Sequence, residues 1–302
     1  LIAELHGAEL QLKGAGPTPF ARGADGRAVL RSSIREVLAS EALHALGVPT
    51  TRALALIGSP LPVERDGTET AAVVCRVAPS FLRFGHFEYL RHHGLEDSLK
   101  RLADWAMAQH FPHCANATEW LADVARRSAQ LVAAWQTLGF CHGVLNTDNC
   151  SLLGLTLDYG PYGFLERYRP HHVCNASDTE GRYAYAAQPA VMRWNVERLL
   201  DACTPLAVDR TAVLAAFDDA LATTLMRRWA AKLGLARPQP GDESLVLRWL
   251  ALLQRCRADF TQSFRALGEE DADALGRRFA ADAAAFAAWH ADWQTRLALQ
   301  GE

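Results

Sequence analysis

Apolar and polar residues alternate with a period of two over Ala8–Lys13, and Thr51–Gly58 and Thr68–Val77 are apolar, β-branched runs. The period of two is that of half-buried strands. Gly14–Pro19 breaks the first run and Gly23–Arg27 reads as a turn. Ser59-Pro60 and a charged turn at Asp66-Gly67 separate the other two, which read as an antiparallel pair. Between these strands the period changes. Ile34, Val37, Leu38, Ala42, Ala45 and Leu46 recur at helical spacing, predicting a helix capped by Ser32-Ser33, running to about Leu46 and stopped by Gly47 and Pro49. From Gly85 onward helical periods dominate: His86–His93, Glu96–Gln109 and a long amphipathic stretch, Thr118–Leu138. Ser151–Leu153 and Leu155–Leu157 predict two brief strands about a turn at Gly154. Asn175–Tyr183 is polar and loop-like. Helices resume at Val191–Ala202, Asp209–Leu233, Glu243–Leu267 and Asp271–Leu297, with Trp194, Trp229, Trp249, Trp289 and Trp293 packing their cores. The pattern is that of an α+β protein, with a strand-rich part over 1–84 and a helical part over 85–302.

Composition narrows the function. With 50% hydrophobic and 22% charged residues over 302 positions, the chain has the make-up of a folded globular protein. A net charge of -3 argues against non-specific nucleic-acid binding, and no apolar run is long enough to span a bilayer. The seven cysteines form no C-x-x-C pair, which suits thiols in a reducing, cytoplasmic compartment. Lysine occurs only at Lys13, Lys100 and Lys232, so Lys13 beside a glycine turn stands out.

The densest chemistry lies in His142–Asn149 and, shortly after, Asp158-Tyr159-Gly160. Asn and Asp at this spacing offer the oxygen donors that a hard divalent cation shares with phosphates. The stretch resembles the catalytic loop and metal-binding Asp-x-Gly of protein kinases, with Tyr159 in the Phe position. Aligning His142 and Asn149 on that loop puts Val144 where the base should stand, and valine accepts no proton. Asp148 is the nearest carboxylate. Either the chain is catalytically dead or its base is displaced. Elsewhere Lys13 closes a strand and could reach a phosphate or stand in solvent. Glu36 could pair with Lys13 or face water. Arg76 and Arg83, near a strand exit, could clamp phosphates or lie on the surface. Gly23–Arg27 could approach a ligand or be a plain hairpin turn.

Several longer strings carry a more specific resemblance. Glu9–Pro19, Arg31–Glu36, Gly47–Leu54, His142–Asn149, Leu157–Pro161 and Gly181–Tyr183 resemble, in order, the motifs of the selenoprotein O (SelO, or YdiU-type) family. The resemblance implies a protein-kinase-like two-lobed fold, with a strand-rich lobe over 1–84 and a helical lobe over 85–302. It implies AMP transfer from ATP to Ser, Thr or Tyr hydroxyls of proteins, with release of pyrophosphate and with Mg²⁺ or Mn²⁺. On the matching positions, Lys13 would hold phosphates and Glu36 would orient it. Asp25 and Gly26 would contact the nucleotide, and Arg76 and Arg83 would grip its phosphates. Asn149 and Asp158 would bind the metal, and Asp148 would be the general base. The family also has a glycine-rich nucleotide-contacting segment ahead of the first motif and a C-terminal extension, so the chain reads as a piece of a longer protein. The alternative is a catalytically inactive, nucleotide-binding pseudokinase.

Overall fold

The computed structural model describes residues 1–19, 23–268 and 272–300, without the side chains of 272–274. Strands β1 (Ala3–Leu5), β2 (Ala8–Lys13), β3 (Ala28–Val29), β4 (Arg52–Glu64) and β5 (Thr68–Ala78) form one five-stranded antiparallel sheet. β5 is its centre, pairing with β2 and β3 along one side and with β4 along the other. Helix α1 (Leu30–Ala45) crosses over from β3 and packs on β4 and β5. All but two of the later elements are helices or short turns. They are α2 (Phe84–His92), α3 (Glu96–His110), α4 (Ala117–Leu138), α5 (Gln188–Ala202), α6 (Arg210–Lys232), α7 (Asp242–Arg255), α8 (Phe260–Ala266), α9 (Ala272–Arg278) and α10 (Ala283–Ala298). A two-stranded ribbon, β6 (Phe140–Cys141) with β7 (Gly163–Phe164), brackets the polar loop between them. The chain is thus mixed α and β, with its strands gathered mainly before residue 79.

The predicted elements recur with instructive differences. β4 does not stop at Ser59-Pro60. It runs to Glu64 through a register irregularity between Ser59 and Pro62, which an edge strand tolerates because its outer N–H row has no partner to lose. The predicted strands flanking Gly154 reduce to isolated bridges, Cys150 to Thr156 across the turn, Ser151 to Arg83 and Thr156 to Thr50, although the turn forms and Gly154 has φ +67°. The predicted helix Glu243–Leu267 is two helices. Arg257 adopts φ +51°, and Asp259 then caps α8 by accepting from the Gln262 N–H at 2.7 Å. The predicted Asp271–Leu297 helix is likewise broken between α9 and α10, and its first residue, Asp271, lies outside the described residues. Trp229, Trp249, Trp289 and Trp293 are buried, but Trp194 is 39% exposed and carries the Arg182 and Arg198 guanidinium groups over its ring.

Helix α1 departs most from its pattern. It begins at Leu30, before the serines, and Ser32 donates back to the Val29 carbonyl rather than capping. Its buried line is Ser33, Glu36, Ala39, Ser40 and Leu43, while Ile34 and Leu38 are 42% and 63% exposed. The face turned to the sheet is therefore partly polar. One apolar core joins Ala39 and Leu43 of α1 to Phe84, Trp120, Trp135, Phe140 and Phe217. A second lies among α7–α10, where Trp249 stacks on Trp289 at 4.3 Å.

Candidate active site

Side chains two apart on a strand share a face. Gln11 and Lys13 on β2 therefore point the same way, and the register opposes Gln11 to Arg76 on β5. Onto that face α1 brings Glu36, which is almost fully buried. The result is a connected ion cluster. Lys13 Nζ donates to Glu36 Oε2 at 2.6 Å and also contacts Asp158 Oδ1. Arg76 lies 3.3 Å from Glu36 Oε1 and 3.7 Å from Asp158 Oδ1, and its Nη2 donates to Gln11 Oε1 at 2.6 Å. Burial opposes the charge on Asp158, but the adjacent Lys13 and Arg76 outweigh it and hold this carboxyl well below the usual carboxylate range. Asp158 sits at φ +65°, a left-handed conformation that Asp tolerates better than most residues.

The polar loop closes the other side. His142 is buried, and its Nε2 bonds the Leu157 carbonyl at 2.9 Å, tying the start of the loop to the residue before Asp158. Burial holds its ring below the ordinary histidine range, and its Nδ1 has no partner among the described residues. Asn149 donates its amide to the Val144 carbonyl at 2.8 Å, a bond that does not use its Oδ1. Arg83 Nη1 donates to the backbone carbonyl of Asp148 at 2.7 Å, and burial pushes the Arg83 guanidinium below its usual value. Tyr159 is buried and its hydroxyl contacts Thr50, anchoring the Asp158-Tyr159-Gly160 turn against the chain between α1 and β4.

Six of the nine expected residues are joined by these contacts: Lys13, Glu36, Arg76 and Asp158 directly, with Arg83 linked to Asp148 through its backbone. Asn149 is tied into the same loop. Asp25 and Gly26 stand apart from this network. Asp25 is exposed and paired with Arg65 at 2.9 Å, and this arginine, with the Arg27 N–H, draws its pKa down to about 2. Gly26 has φ +63°, and a Cβ there would fall 1.9 Å from the Gly16 carbonyl oxygen. Its glycine character is explained by one turn packed on another. Gln11 was missed by the sequence reading, although its place two residues before Lys13 was the available signal.

The donor set suits a hard cation and a polyphosphate. Asn149 Oδ1 and the Asp158 carboxylate are oxygen donors of the kind Mg²⁺ and Mn²⁺ take. The buried Arg76 Nε has no partner among the described residues, an N–H suited to an anionic oxygen.

Comparison with known proteins agrees with this chemistry. A family model described as "Protein adenylyltransferase SelO" matches residues 3–299. The chain is 58% identical over 306 residues to "Protein nucleotidyltransferase YdiU" of Methylococcus capsulatus, covering 96% of this chain and 61% of that protein. It is 50% identical to the protein of the same name from Thioalkalivibrio sulfidiphilus, covering 97% of this chain and 63% of the relative. For Paraburkholderia xenovorans the identity is 48%, with 96% and 60% covered. The chain thus spans about three-fifths of the length of these curated relatives. On these matches, the chain belongs to the SelO family of protein adenylyltransferases.

Proposed function

We propose that this chain is the catalytic part of a protein adenylyltransferase, transferring AMP from ATP to Ser, Thr or Tyr hydroxyls of a protein and releasing pyrophosphate. The observation that carries this reading is the Lys13–Glu36–Arg76–Asp158 cluster, which gathers phosphate-binding cations and a metal-binding carboxylate around one point. We read the architecture as a kinase-like two-lobed fold, with residues 1–84 as the strand-rich lobe and 85–302 as the helical lobe.

Glu36 holds Lys13 and Arg76 in place through separate carboxylate oxygens. Lys13, Arg76 and Arg83 neutralise the triphosphate and the charge that builds on pyrophosphate as it leaves. Asp25 and Gly26 contact the nucleotide from the β2–β3 connection. Asn149 and Asp158 would hold Mg²⁺ or Mn²⁺, which supplies charge neutralisation at the phosphates. Asp148 accepts the proton of the acceptor hydroxyl. That oxygen bonds to the α-phosphorus as the bond from the α-phosphorus to the bridging oxygen breaks, and the electron pair departs with pyrophosphate. Displacement of the base from the Val144 position to Asp148 accords with attack at the α- rather than the γ-phosphate.

Incubation with ATP labelled on the α-phosphate, Mg²⁺ or Mn²⁺ and a cell lysate tests the reading. Wild type should label protein, and Asp158→Asn, which keeps a side chain tolerant of the left-handed backbone, should not. Label from the γ-phosphate would identify a kinase instead. A second reading, favoured by Val144, is a nucleotide-binding pseudokinase. It predicts thermal stabilisation by ATP with no label transferred.

A further inference from the structure

Gly85 lies in the first turn of α2 and has no positive φ, so nothing in the backbone calls for glycine. Its neighbour does. A Cβ at position 85 would stand 2.3 Å from Asp148 Oδ1, 3.4 Å from Cγ and 3.5 Å from Cα. No carbon approaches a carboxylate oxygen that closely. The two backbones cannot easily part to make room, because they are laced together immediately beside the contact. Phe84 N–H donates to the Cys150 carbonyl at 3.0 Å, and Leu152 N–H donates to the Leu82 carbonyl at 3.1 Å. Arg83 and Ser151 form a bridge, and Arg83 Nη1 donates to the Asp148 carbonyl at 2.7 Å. The Asp148 carboxylate, at the end of a rotatable side chain, is the group that would have to move.

We propose that Gly85 is a positioning residue: the bare backbone at the start of α2 is the seat that fixes the direction of the Asp148 carboxylate. The proposal rests on the reading of Asp148 as the base. It predicts that adding one methyl group turns the base away while leaving the fold and the nucleotide site in place. Helix α2 should not suffer, since alanine is the better helix former.

The test compares Gly85→Ala, Asp148→Ala and the double variant by α-phosphate label transfer, with ATP binding and thermal unfolding measured alongside. Gly85→Ala should lower kcat more than about ten-fold, because a displacement of the order of 1 Å in a reacting group is costly. KM for ATP should stay within about two-fold, and the unfolding temperature should not fall. In the Asp148→Ala background, Gly85→Ala should cost nothing further in the residual label accumulated over hours, since it acts through a group already removed. A wild-type rate for Gly85→Ala beside an inactive Asp148→Ala would overturn the positioning role and leave the base assignment standing. An equal loss in both backgrounds would overturn it too. A wild-type rate for Asp148→Ala would remove the base assignment and this inference with it. Should Gly85→Ala fail to fold, recovery of folding in the double variant supports the contact, and no recovery refutes it.

Discussion

Helices α1 and α4 bury opposite kinds of face. α4 turns Trp120, Leu121, Val124, Leu131, Val132 and Trp135 into the core and leaves Arg126 and Arg127 outside, paired with Asp123. Its hydrophobic period, its Asn116 cap and its Gly139 terminator at φ +72° all agree with its position. α1 instead buries Ser33, Glu36 and Ser40 and exposes Ile34 and Leu38. Burial of α4 is driven by apolar area. α1 is seated on the sheet partly by the two cations that converge on Glu36, with Ala39 and Leu43 completing the contact. The difference teaches that a helix beside a cluster of buried cations can be oriented by its charge, so that the apolar stripe marks the wrong face.

The comparison breaks most visibly at Trp135, which is buried and donates its indole N–H to Thr156 Oγ1 at 3.0 Å. Trp135→Ala should cost about 3–5 kcal/mol in urea unfolding, as large aromatic truncations in cores do. Next comes Glu36→Ala. It leaves the buried Arg76 without its nearest carboxylate and Lys13 with Asp158 alone, a loss of about 3 kcal/mol. Unlike Trp135→Ala, it should also abolish label transfer at temperatures where the chain remains folded. If Glu36→Ala were neutral in both assays, the charge-seated view of α1 would fall.

Acid should weaken the loop that links the two regions. His142 has its folded pKa depressed by burial, so the unfolded chain binds the proton first as pH falls. Its contribution to stability is complete above the unfolded value of about 6.5 and declines below it, by at most about 1.4 kcal/mol per pH unit. Thermal unfolding from pH 7.5 to 5 should show this slope, and His142→Gln should reduce it. The smallest effect belongs to Leu38, the apolar residue that periodicity placed inside. At 63% exposure, Leu38→Gln should change stability by no more than about 0.5 kcal/mol. A larger loss would mean that this face is covered in solution.

Much of the site was legible because each part was a local string. Lys13 before a glycine, Glu36 on a helix, and Asn149 and Asp158 around a turn were all visible in order. The exposed position of Asp25, tied to Arg65, was not, because that pairing joins residues forty apart. Nor was the role of Gln11, which depends on the strand register opposing it to Arg76. Trp194 reads as core by residue type, yet it lies at the surface beneath two arginines.

The sequence by itself determined the longer strands and helices in their order and the set of polar and charged groups that could handle phosphate and metal. These follow from period, turn chemistry and side-chain type, which act over a few residues. Only the tertiary structure decided that Glu36 faces inward, that Lys13 meets an aspartate 145 positions later, and that the Asp148 carboxylate rests on Gly85. The first two depend on strand register and on the crossing of α1 over the sheet, and the third on the bonds that join residues 82–84 to 150–152; in each, pairing and close packing between distant segments outweigh local preference.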